Sequence, residues 1–135
     1  MYVCNRYHLE NKRCIPLGGT KLKVREAVRA VDGNVLTGEE YLDKEIEYGC
    51  GSDLMSDVLA FVKEDTLLLT GLTNIQVIRT AEIIDVFVII FVRGKIPTNN
   101  IIKLAKEKKI ILITTEHTLF EACGRLYKIG LKGKY

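Results

Sequence analysis

The sequence predicts an α/β domain built on a mainly parallel sheet with flanking helices, and three observations carry that expectation. From residue 52 onward, apolar residues at helical spacing alternate four times with short apolar runs of strand length, the pattern of crossover units on a parallel sheet. The strongest run, residues 86–92, is apolar at every position up to Arg93, as a strand covered by helices on both faces must be. The whole chain of 135 residues, 47% hydrophobic and 27% charged with two prolines, suits one core that folds without disulfides or structural metal.

Taken in order, residues 1–20 show no sustained period and end in Pro16-Leu17-Gly18-Gly19-Thr20, a cluster of chain breakers. They read as an N-terminal extension or flexible arm, and residues 21–135 as the domain. Near Leu22 a helix begins, with Val24, Ala27, Val28 and Val31 on one face until Gly33 stops it. A short strand at 34–36, an acidic turn and a second strand at 45–48 follow. Ser52 and Asp53 then open a helix as cap and first turn, with Leu54, Met55, Val58, Leu59 and Val62 as its apolar face. Thr66–Thr70 is a buried strand, and Ile75, Ile78 and Ala81 repeat as a helix after Asn74. The strand at 86–92 leads to Thr98 and a helix carrying Ile101, Leu104 and Ala105, then to a strand at 110–114. The last helix runs from Thr118 through Leu119, Ala122, Cys123 and Leu126 towards Gly130, with Thr118 and Glu121 at capping-box spacing.

Charge and composition exclude several classes. The net charge of +3 is uneven: residues 1–25 hold an excess of +5, which leaves −2 for the rest. Neither a dense basic stripe nor a reading helix is present, so no nucleic-acid partner is expected. No apolar run is long enough to cross a bilayer, which argues against membrane insertion. The opening residues lack a secretory pattern, and Cys4, Cys14, Cys50 and Cys123 are too scattered for a disulfide framework. A cytoplasmic location with reduced thiols is the expectation.

In open parallel sheets, ligands bind beyond the carboxyl ends of the strands, where helix starts also gather. Four such loops can be read: Cys50-Gly51-Ser52-Asp53, Thr70 to Asn74, Arg93 to Thr98, and Thr115-Glu116-His117-Thr118. Their candidate ligand contacts are Cys50, Gly51, Ser52, Thr70, Gly71, Asn74, Arg93, Gly94, Lys95, Thr115, His117 and Thr118. Free amides at a helix start favour an anion. Arg93-Gly94-Lys95 is the best single candidate for a phosphate or carboxylate, joining a planar donor fork, a close-approach glycine and a mobile charge. Solvation of a strand exit by basic residues is the competing reading.

Other chemistry is thinner. His117 has no motif-bound nucleophile beside it, so capping or ligand contact outweighs proton transfer. Cys50, between two glycines, reads first as a small buried residue and second as a reactive thiol, and Cys123 reads as core. Asp57 beside an apolar face is suited to holding a neighbouring loop. Cys4, His8 and Cys14 do not have the spacing of a common zinc site. The phosphate-loop, dinucleotide and nucleophile-elbow signatures are absent. The residues assign no catalytic group and no cofactor.

Three segments nevertheless share a pattern. Gly49 to Ala60 (GCGSDLMSDVLA), Phe91 to Pro97 (FVRGKIP) and Leu119 to Tyr127 (LFEACGRLY), with Val35-Leu36-Thr37-Gly38 as opening, together resemble the DRTGG domain family over about residues 22–131. The resemblance implies a three-layer α/β fold similar to the N-terminal domain of HPr kinase/phosphorylase, without the kinase domain. It also implies a regulatory or assembly role, and the stand-alone relatives point to iron hydrogenase or related redox systems. Where many members have Thr-Gly-Gly after the central strand, this chain has Val92-Arg93-Gly94, which exchanges a glycine for a charge.

The expectation is therefore a non-catalytic regulatory or protein-interaction module that senses a small anion or nucleotide, working with a protein partner or as a homo-oligomer. The alternatives are a small enzyme that brings His117 or Cys50 to the strand-end face, and a structural oligomerisation subunit.

Overall fold

In the computed structural model, which describes residues 7–10, 13–16, 21–62 and 64–133, the chain runs through β1 (Tyr7–Glu10), β2 (Arg13–Pro16), β3 (Leu22–Lys23), α1 (Val24–Ala30), β4 (Asn34–Thr37), β5 (Glu45–Ile46) and β6 (Tyr48–Gly51). It continues through α2 (Met55–Phe61), β7 (Thr66–Thr70), α3 (Ile75–Ile83), β8 (Val88–Phe91), α4 (Asn99–Glu107), β9 (Ile111–Thr114) and α5 (Leu119–Lys128). The main sheet has five strands in the order β4-β9-β8-β7-β6. Strands β6 to β9 are parallel and adjacent in chain order, and β4 closes the sheet antiparallel to β9.

Side chains alternate along each strand and so divide the core in two. Leu67, Leu69, Val88, Ile90, Ile111 and Ile113 pack towards α1 and α5, against Val24, Ala27, Ala122 and Leu126. Leu68, Ile89, Phe91 and Leu112 pack the other way, against Val58, Val77, Ile78, Ala81, Ile101 and Ala105 of α2, α3 and α4. The three crossover helices thus share one face, and the first and last helices cover the other. This is the three-layer α/β architecture expected.

Several local expectations change. Residues 1–20 were read without an element, yet β1 and β2 pair as an antiparallel hairpin, Glu10 opposite Arg13; four-residue strands are too short to show a period. Leu22 and Lys23 form a strand before α1 because they pair with Ile46 and Glu45, and the strand read at 45–48 therefore splits between two sheets. Helix α2 starts after Leu54, and neither Ser52 nor Asp53 caps it. Its apolar face is narrower than read: Met55, Val58 and Val62 are buried, whereas Leu54 and Leu59 are 56% and 41% exposed. Helix α5 keeps half of its capping box. Thr118 Oγ1 accepts from Glu121 N–H at 3.3 Å, while the Glu121 carboxylate turns to Arg125 one turn on, 3.0 Å away.

No helix among the described residues is long and apolar enough to cross a membrane. Cys4 lies outside them, and no metal-holding group of three or more His, Cys, Asp or Glu occurs within them.

Candidate functional site

Each parallel strand is followed by a helix, so the carboxyl ends of β6 to β9 and the starts of α2 to α5 meet along one edge. The β9 corner is wired to α1. Thr115, almost fully buried, donates its hydroxyl to the Val31 carbonyl at 2.6 Å and accepts from the His117 amide at 3.2 Å. His117 Nε2 lies 3.1 Å from the Asp32 carboxylate, and Asp32 takes a positive φ of 51° to turn the chain after α1. Arg125 reaches the same carboxylate at 3.5 Å and the Ala30 carbonyl at 3.4 Å. His117 therefore joins the β9 exit to the turn after α1, and Thr118 is the residue that caps α5.

At the end of β8, Arg93 and Gly94 both have left-handed φ, 59° and 67°. Their amides donate to the carbonyls of His117 and Thr115 at 2.8 and 2.7 Å, and the Lys95 amide donates to Val92 at 3.3 Å. The backbone of Arg93-Gly94-Lys95 is thus already engaged, and only the side chains of Arg93 and Lys95, both exposed, are open to an anion. Gly94 serves a different close approach: a Cβ there would lie 2.8 and 2.9 Å from the carboxylate oxygens of Glu116.

Between β6 and β7, Asp53 does the work expected of a cap but across the sheet. One carboxylate oxygen accepts from Thr70 Oγ1 at 2.9 Å and from the Gly71 amide at 2.7 Å. Thr70 Oγ1 in turn accepts from Leu72 at 3.2 Å, so the β7 exit is held in a tight turn. Ser52 Oγ closes its own turn by accepting from Leu54 at 3.0 Å. Arg93 folds over this turn, with Nη2 3.2 Å and the Asp53 carboxylate 3.5 Å from where a Cβ of residue 71 would stand. Asn74 and Thr98 head α3 and α4, and neither caps with its side chain. Two neighbouring helices thus begin beside Arg93 and Lys95 with first-turn amides left for a ligand or solvent.

Cys50 and Gly51 lie within β6 rather than in a loop. Gly51 leaves room for Cys123, whose Sγ would lie 2.8 Å from a Cβ. Burial, and second the nearby Asp57 carboxylate, push the Cys50 thiol pKa up; burial, and second Cys50, do the same for Cys123. That is the opposite of an activated thiolate. Cys123 is half-buried rather than fully core. Asp57 is exposed and holds no neighbouring loop among the described residues. Cys50 stands on one border strand and His117 beyond β9, three inter-strand spacings or roughly 14 Å apart, so the two side chains do not meet.

Asp32 and Glu116 are the residues that sequence reasoning missed. Asp32-Gly33 was legible as a turn, but its partner 85 residues away leaves no local trace.

The fold defines a small, mainly parallel α/β domain whose strand ends carry the exposed side chains of Arg93 and Lys95. More particularly, the chain belongs to the DRTGG domain family, whose model matches residues 26–129. Among solved structures it is similar to the CBS and DRTGG domains of the regulatory region of Clostridium perfringens pyrophosphatase, complexed with the activator diadenosine tetraphosphate. The two share 19% identity and a TM-score of 0.67, over 81% of this chain and 47% of that one. The chain thus spans about half the length of that regulatory region. No curated protein matches the chain.

Proposed function

We propose that this domain is a regulatory module without catalysis of its own, which senses a phosphorylated small molecule, a nucleotide foremost, at the edge formed by the ends of β7 and β8. The observation that carries the reading is the juxtaposition there of two helix starts without side-chain caps and the exposed side chains of Arg93 and Lys95. Amides at a helix start and a guanidinium are complementary to phosphate oxygens. Asn74 offers a side-chain amide, Asp53 holds the buried Thr70 and Gly71 in the turn beside it, and Thr115, His117 and Thr118 fix the neighbouring corner. The regulatory context of the pyrophosphatase domains, with their nucleotide activator, supports the class of ligand. A protein partner that reads the bound state completes the proposal. Its narrower form, support of a hydrogenase-type redox complex, rests on the sequence resemblance alone.

Isothermal titration of the chain with adenine nucleotides and with inorganic pyrophosphate tests this. Saturable binding that Arg93→Ala and Lys95→Ala each weaken about tenfold, the worth of one charge-assisted contact, supports the site. Binding unchanged in both variants, or none at millimolar ligand, overturns it.

A further inference from the structure

A second feature lies away from the strand ends, on the outer face of α5. Gly124 sits in the middle of this ten-residue helix, where glycine is a poor choice, and a Cβ there would meet nothing within 4 Å. No neighbour among the described residues therefore requires the glycine. It forms the floor of a 410 Å³ groove between α1 and α5, together with Ala30, Arg125, Lys128 and Ile129. Phe120 stands at the rim, 88% exposed, and Glu121 lines the same groove. Ala122 and Leu126, on the opposite face of the helix, are buried against the sheet. A solvated helix face has no use for an aromatic ring so fully in water next to a helix-weakening gap.

We infer that this groove is the contact surface for a second copy of the chain, joined about a two-fold axis with the two α5 helices antiparallel and crossing between Gly124 and Arg125. The order of residues along the helix is self-complementary under that operation. Phe120 of each copy meets Ile129 of the other and enters its groove beside Lys128, a pairing of apolar surface with a cation over an aromatic face. Glu121 of each copy faces Lys128 of the other. Gly124 lets the helices approach closely enough to accommodate Arg125 of the second copy, which Glu121 already holds in place from one turn away. One contact thus occurs twice, as in any isologous interface. The positively charged side chains at the carboxyl end of the helix meet the acidic amino end of its mate, which gives the antiparallel sense its preference.

Sedimentation of the full chain over a range of concentrations, with far-ultraviolet circular dichroism to confirm folding, tests the surface. The wild-type chain is expected to associate to a dimer. Gly124→Leu, a better helix former at an exposed site, is expected to keep or raise the thermal midpoint and to weaken association by about tenfold or more. Glu121→Lys and Lys128→Glu, each alone, place like charges opposite one another and are expected to be monomeric at concentrations where wild type is dimeric. Mixed in equal amounts, they restore both opposite-charge pairs and are expected to form a heterodimer. A wild-type chain that remains monomeric up to millimolar concentration overturns the inference, as does a dimer indifferent to Gly124→Leu and to both charge reversals.

Discussion

The β9 corner and the β7–β8 edge are made from the same kinds of residue, yet they do different things. At the β9 corner the side chains of Thr115, His117 and Arg125 reach out of their own segments. Thr115 bonds the end of α1, and His117 and Arg125 converge on Asp32. At the β7–β8 edge, Asp53 ties Thr70 to Gly71 and Arg93 folds over that turn, while Lys95, Asn74 and Thr98 stay exposed. The first set is committed to joining secondary structure; the second is held in place but keeps capacity to spare. Residue type does not separate a structural threonine from one that can meet a ligand. What separates them is whether the partner is part of the chain.

The largest expected effect is at the committed corner. Thr115→Val removes a buried hydroxyl and leaves the Val31 carbonyl and the His117 amide without it, so unfolding in urea should show a loss of about 1–3 kcal/mol. A loss below a few tenths would show the corner to be less committed than its geometry. Next is Gly94→Ala, which places a side chain at a left-handed φ beneath the Glu116 carboxylate; a loss of about 1–2 kcal/mol is expected, with the Glu116 side chain able to swing clear. Asp53→Asn sharpens the contrast from the other side. It keeps an acceptor for Thr70 and Gly71 and removes a negative charge beside Arg93, so stability should fall by no more than about 1 kcal/mol while pyrophosphate binding tightens in titration.

The smallest effect concerns the thiols. Both are raised above their ordinary value of 9.0, so the folded chain keeps these protons after the unfolded chain has lost them. Their contribution is fully present below pH 9.0 and is lost as pH rises through the higher folded values. The fall in stability above pH 9.0 should therefore be shallower in a Cys50→Ala/Cys123→Ala variant, and iodoacetamide at pH 8 should modify both thiols more slowly than it does in urea.

How much of this was legible follows the range of the interactions. The alternation of helices and strands after residue 52 is a local pattern of apolar spacing, and it led directly to β7, α3, β8, α4, β9 and α5 and to their common edge. The alignment of Arg93, Lys95, Asn74 and Thr98 along that edge followed from the topology. The roles of Asp53 and His117 did not, because each depends on a partner far away in sequence: Thr70 and Gly71 in one case, Asp32 in the other. The same limit applies to the exit from β8. Its glycine was read as room for a ligand, and the space instead belongs to Glu116, a neighbour known only once β8 and β9 are paired. The N-terminal hairpin escaped notice because its strands are shorter than any period.

The strand order has a kinetic consequence. Strands β6, β7, β8 and β9 are laid down in the order in which they pair, so each crossover closes a short loop and the four can assemble as the chain is made. Only β4 must wait, since its neighbour is β9, and Val31 and Asp32 wait for the same stretch of chain, 84 and 85 residues on. The early part of the domain is therefore the last to be secured, and a nascent chain stopped short of residue 110 holds β4 without the strand it pairs with and α1 without its ties to Thr115 and His117.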